Sequence, residues 1–69
     1  MIAIRKYRKQ MKWTQSFLAK QLGTSTSTIG MWESGERRPS INMLKKIAKI
    51  LQCTTDDLLE TIDIDNEKR

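Results

Sequence analysis

Two stretches with helical apolar spacing meet with only Gly23 and Thr24 between them. The first carries Leu18, Ala19 and Leu22 behind Thr14, whose side chain can accept from a first-turn amide. The second opens at Ser25, carries Ile29 and Trp32 three apart on one face, and ends at Gly35. Gly23 takes a positive φ cheaply and so ends the first of the two helices. A connection this short cannot reverse the chain fully, so the two helices must cross at a steep angle. Ala19 is small where they approach, and Leu18 and Leu22 face inward to meet Ile29 and Trp32. On geometry alone, this corner is equally an ordinary corner of a small bundle.

The remaining segments continue the helical pattern. Residues 4–11 set Ile4, Tyr7 and Met11 at i, i+3 and i+7, with Arg5, Lys6, Arg8 and Lys9 between them. Glu36-Arg37-Arg38-Pro39 reads as a loop, after which Ser40 caps a fourth helix. Its expected buried stripe is Ile41, Leu44, Ile47, Ala48 and Leu51. Thr54 opens a short fifth helix with Leu58, Leu59 and Ile62. Thr54 followed by Asp57 is a variant of the capping box, and the acids Asp56 and Asp57 suit the positive end of the helix dipole. No strand signal and no repeat is present. The expectation is an all-α fold, a compact five-helix bundle. Residues 1–62 form one domain, and residues 63–69 form a short charged tail that frays.

A chain of 69 residues buries only about 60% of the surface its unfolded form exposes. Nearly every apolar side chain must serve one core, which leaves little room for an enclosed active site. The single cysteine, Cys53, permits no internal disulfide, and small secreted domains usually carry several cysteines in pairs; a cytoplasmic location is expected. No apolar run approaches the roughly 20 residues of a membrane span, and no signal-peptide pattern is seen. There is no His, no motif for phosphate, metal or nucleophile chemistry, and Cys53 falls where the end of the fourth helix should bury it. The acids Asp56, Asp57, Glu60, Asp63 and Asp65 lack the Gly and terminal Glu of a calcium loop. The sequence therefore points away from an enzyme, a metal site or a cofactor.

Charge is placed unevenly. Up to residue 52, eleven Lys or Arg face only Glu33 and Glu36, while six acids face Lys68 and Arg69 beyond it. A basic body with an acidic end suits a polyanionic partner, although a solvated surface that keeps the chain soluble would carry the same charges.

Five blocks now stand in order: Thr14-Gln15-x-x-Leu18-Ala19-x-x-Leu22-Gly23, Ser25-x-Ser27-Thr28-Ile29-x-x-Trp32-Glu33-x-Gly35, Arg38-Pro39-Ser40, Leu44-x-x-Ile47-Ala48-x-x-Leu51 and Asp57-Leu58-Leu59. Together they resemble the helix-turn-helix domain of phage lambda-type repressors, Cro proteins and Xre-type bacterial regulators, over about residues 3–60. The resemblance implies a lambda-repressor-like five-helix bundle whose second and third helices form the helix-turn-helix. It implies that the third helix lies in the major groove of operator DNA, where all four base pairs present distinct patterns. The chain is then a sequence-specific transcriptional regulator.

The same resemblance assigns residues. Gln15 contacts a phosphate or a base edge. Thr26 and Ser27 occupy base-reading positions, with Thr28 at the base or backbone edge and Met31 one turn on. Ser25 opens that helix, and N-cap chemistry accounts for part of its role. Ser34, Arg37 and Arg38 flank the DNA backbone, with Lys9, Lys12, Lys45 and Lys46 as weaker candidates. Arg8 and Glu33 form a structural ion pair that locks the reading helix to the first helix. Trp32 belongs to the core, and Trp13 to the seam between the first two helices. The chain departs from the usual family pattern on the reading face, where Gln, Arg or Asn often make bidentate contacts. Short hydroxyls, Gly30 and Met31 stand there instead, so modest base discrimination is expected, with shape and phosphates supplying much of the affinity.

Regulators of this type usually dimerise, and a weak homodimer, or one formed only on DNA, is expected here. Leu59, Ile62 and Ile64 of the fifth helix are candidates for the self-contact. Phe17, on a normally polar face, and the fifth helix are the candidate contacts for a protein partner. Phe17 and the short hydrogen-bonding reach of the third helix feed the alternative function, a modulator or antitoxin that uses this fold to bind another protein.

Overall fold

The computed structural model describes residues 2–59, which form five helices. They are α1 (Ile4–Gln10), α2 (Gln15–Leu22), α3 (Thr26–Ser34), α4 (Ile41–Ile50) and α5 (Thr55–Leu58). No strand occurs among the described residues. Ile62, Ile64 and the expected tail, 63–69, lie outside them.

Side-chain caps set four of the five starts. The Thr14, Ser25, Ser40 and Thr54 hydroxyls accept from the backbone N–H of Phe17, Thr28, Met43 and Asp57. Each cap satisfies one of the amides that a helix leaves unpaired at its start. At Thr54 the box is complete, because the Asp57 carboxylate accepts from the Thr54 N–H at 3.0 Å. Helix α1 ends one residue before the sequence pattern does, with Met11 as its cap.

The short turn behaves as its composition dictates. Gly23 sits at φ 71°, and the Thr24 N–H reaches back to the Ala19 carbonyl at 2.9 Å. An L side chain at that φ would be strained. Lys46 donates to the Leu22 carbonyl at 3.4 Å, so α4 helps to satisfy the last turn of α2. This gives Lys46 a role within the fold.

All five helices feed one core. It contains Ile4 from α1, Leu18, Ala19 and Leu22 from α2, Ile29 and Trp32 from α3, Ile47, Ala48 and Leu51 from α4 and its end, and Leu58 from α5. The Ala3 N–H donates to the Leu58 carbonyl at 2.8 Å, tying the start of the chain to α5. Leu44 is only partly buried, and Ile41 departs from the expected stripe altogether: it is 73% exposed. Ile41 is the first residue of α4, and correct periodicity does not bring burial there.

Gly30 stands inside α3 at a cost of about 0.8–1 kcal/mol relative to Ala. No positive φ explains it.

The contrast between two isoleucines of one helix is testable by denaturant unfolding. Ile47→Ala removes fully buried methyl groups and should cost about 2–5 kcal/mol. Ile41→Ala should change stability by less than about 0.5 kcal/mol.

Candidate nucleic-acid interface

The outward side of α3 is defined by what holds its inward side. Ile29, Trp32 and Glu33 are buried. At 3.6 residues per turn, Ser27, Met31 and Ser34 lie opposite them, with Thr26 and Gly30 on the flank that adjoins Gln15. Thr26, Ser27 and Ser34 are exposed, and Gly30 and Met31 are half-exposed.

The hydroxyls along this helix divide into two sets. The Ser25 hydroxyl caps the helix and lies 2.8 Å from the Thr28 hydroxyl. Ser34 donates to the Met31 carbonyl at 3.1 Å and accepts from the Glu36 N–H at 3.3 Å. These three side chains are engaged at the helix ends. The Thr26 and Ser27 side chains hydrogen-bond no other described residue and face solvent. Arg37 and Arg38, also exposed, continue the surface past Gly35 and line a groove of about 320 Å³ with Ile2, Trp32 and Leu59.

Behind α3 stands a buried charge pair. Arg8 Nε donates to Glu33 Oε2 at 2.7 Å and Nη2 donates to Oε1 at 3.1 Å, a two-point match of fork to carboxylate. The two side chains are 9% and 5% exposed, so water screens the pair little. Arg8 Nη1 also donates to the Trp13 carbonyl at 2.7 Å, so one guanidinium joins α1, the turn before α2, and α3. A third member, which no local sequence feature announces, joins the pair: Gln15 Nε2 donates to Glu33 Oε1 at 3.0 Å. Gln15 is therefore half-buried and tethered, and its remaining N–H and its carbonyl oxygen are what it can offer outward. Burial alone would push the Glu33 carboxyl up. Hydrogen bonds from Arg8 and Gln15, with the charges of Arg8 and Arg5, outweigh it and hold Glu33 below the usual carboxylate range.

Charge is sorted by helix end. Neither α2, α3 nor α4 has an acid in its first turn, whereas α5 has two, Asp56 and Asp57. The first three starts thus keep their positive dipole ends uncancelled. Lys12, at φ 62°, sits in a left-handed turn just before α2. Phe17 is exposed, yet its ring meets Trp13 edge-on at 4.8 Å and 62°. Cys53 is half-buried, where full burial was expected, and burial with the nearby Asp57 pushes its thiol up. No group of three His, Cys, Asp or Glu side chains among the described residues is placed to hold a metal ion. No helix among them is long and apolar enough to cross a membrane.

A family model described as helix-turn-helix matches residues 4–58. The chain belongs to the helix-turn-helix family. Within that family it is 40% identical over 57 residues to repressor protein C2 of Salmonella phage P22, covering 83% of this chain and 26% of the relative. It is 40% identical over 52 residues to the transcriptional regulator AnsR of Bacillus subtilis, covering 75% of this chain and 45% of that protein. The chain thus spans less than half of either relative. It matches the regulator YazB of Bacillus subtilis at 40% identity, with 80% of both chains covered. Among solved structures it is similar to the P22 c2 repressor in complex with a synthetic operator, with a TM-score of 0.75 and 40% identity over 80% of this chain and 83% of that one. The corner formed by α2 and α3 is accordingly the helix-turn-helix unit, and the five-helix expectation holds.

The Glu33 shift makes a statement about pH. Its pKa is lower folded than unfolded, so its contribution is complete above about pH 4.3 and is lost as pH falls through the folded value. Thermal unfolding measured from about pH 6 to about pH 3 should show a steeper fall for the natural chain than for Glu33→Gln. Parallel curves would contradict the shift.

Proposed function

We propose that this chain is an operator-binding transcriptional regulator, with residues 1–62 as its DNA-binding domain and α3 as the element that enters the major groove. The observation that carries this reading is the outward side of α3. It presents the Thr26, Ser27 and Met31 side chains free of the fold's own hydrogen bonds, on a helix locked from behind by Arg8 and Glu33. The similarity to a repressor–operator complex supports the same assignment. Thr26, Ser27 and Met31 read base edges, and Gln15 contributes from the start of α2. Ser25, Thr28 and Ser34 contribute less directly, since their hydroxyls serve the helix ends. Arg37 and Arg38 neutralise phosphates alongside the free amides of α2.

The groove-facing chemistry favours hydroxyl hydrogen bonds and apolar contact over bidentate readout. The regulator acts in the cytoplasm without cofactor or catalysis, as a weak dimer or one formed on DNA. Half-sites then stand about one helical turn apart. Leu59 lies near the end of the described chain and belongs to the candidate self-contact. Phe17 remains exposed beside Trp13, and what disfavours the protein-binding alternative is the similarity to named repressors and regulators and to a repressor–operator complex.

Selection from random duplex DNA at two salt concentrations tests the reading. A palindromic motif should emerge, with specific binding less than about 10⁴-fold above non-specific binding. Arg37→Ala and Arg38→Ala should each lower the slope of log affinity against log salt by about 1. Ser27→Ala and Met31→Ala should reduce discrimination while leaving that slope in place. No enrichment and no salt dependence would overturn the assignment in favour of a protein partner.

A further inference from the structure

Gly30 is the residue of α3 for which the fold supplies no reason. Its backbone is helical, and a methyl group placed there would meet nothing nearer than Gln15 Nε2, at 3.9 Å, an ordinary contact. Alanine therefore fits the folded chain and favours the helix more. The position is half-exposed and lies on the flank of the outward side, between the tethered Gln15 amide and Met31. The surface of α3 is consequently lowest at Gly30, where bare main chain replaces a side chain.

We infer that Gly30 is a specificity-determining residue, the point at which the α3 backbone admits the C5-methyl of an operator thymine. This rests on the reading above that α3 enters the major groove. Thymine alone among the bases presents a methyl group there. A methyl group needs a shallow seat, and the bare Gly30 main chain leaves one on the half-exposed flank of α3, with Gln15 Nε2 the nearest side-chain atom. A side chain at position 30 would occupy the seat. Gln15 cannot swing across to fill it while Glu33 Oε1 holds one of its N–H groups. The chain thus gives up helix stability at one position and gains close approach to one base pair.

The test uses the full chain, its selected operator, and Gly30→Ala. Each thymine of the operator is replaced in turn by deoxyuridine, which removes only the methyl group. One replacement per half-site should weaken binding by the natural chain about 4-fold, the value of one buried methyl group. Gly30→Ala should melt about 4–8 °C higher, bind the operator at least about 10-fold more weakly, and ignore that same replacement. Operator affinity and methyl dependence unchanged in Gly30→Ala would overturn the inference. So would a lower melting temperature, because the glycine would then have a reason inside the fold. If the natural chain shows no salt-sensitive DNA binding at all, the reading of α3 itself fails, and the inference with it.

Discussion

The buried contact between Arg8 and Glu33 is what the rest of this molecule depends on. In so small a core, α3 contributes only two apolar side chains, Ile29 and Trp32. Apolar contact is non-directional, and two such anchors leave the rotation of a helix about its axis weakly defined. A forked guanidinium on a carboxylate is directional. By joining Glu33 to α1 and to the turn before α2, Arg8 fixes which residues of α3 point inward and hence which point out. Desolvating two charges is expensive, and the geometry offsets it by leaving no buried side-chain polar atom among the described residues without a partner. Gln15 belongs to the same arrangement, so the pair also sets what the start of α2 can offer.

Around that lock, the chain distributes charge and capping in a consistent way. Uncharged hydroxyl caps open α2, α3, α4 and α5, and among the described helices only α5 adds acids in its first turn. The positive ends of three helices and the Arg37–Arg38 pair are thereby left to attract an anion. The α2–α3 corner owes its angle to Gly23, and Lys46 satisfies the carbonyl end of α2 from α4. Orientation of α3 therefore has three sources: a turn, a core and an ion pair.

Much of this was legible in the sequence because it is local. Thr14, Ser25, Ser40 and Thr54 cap helices that begin one residue later, and the apolar periods of α2 and α3 name their own buried sides. The spacing misled at Ile41, since periodicity identifies a helix face but not how far that face extends over the body. Arg8 and Glu33 came from the family resemblance, not from either residue's surroundings. The bond from Gln15 to Glu33 spans 18 positions and two helices, and nothing near either residue announces it. Ser25 was legible as a cap, but the engagement of Thr28 and Ser34, with Thr26 and Ser27 left free, emerges only in the folded chain, because those four hydroxyls look alike in sequence.

The central claim is that Arg8 and Glu33 act as one unit, and a double-mutant cycle measures that directly. Denaturant unfolding would be followed for the natural chain, Arg8→Met, Glu33→Leu, and the two combined. The account predicts that each single change costs about 3–5 kcal/mol, because it strands a buried charge, and that the combined change costs far less than the sum. Additive losses would contradict it, and would mean that the core and the turn orient α3 without the ion pair.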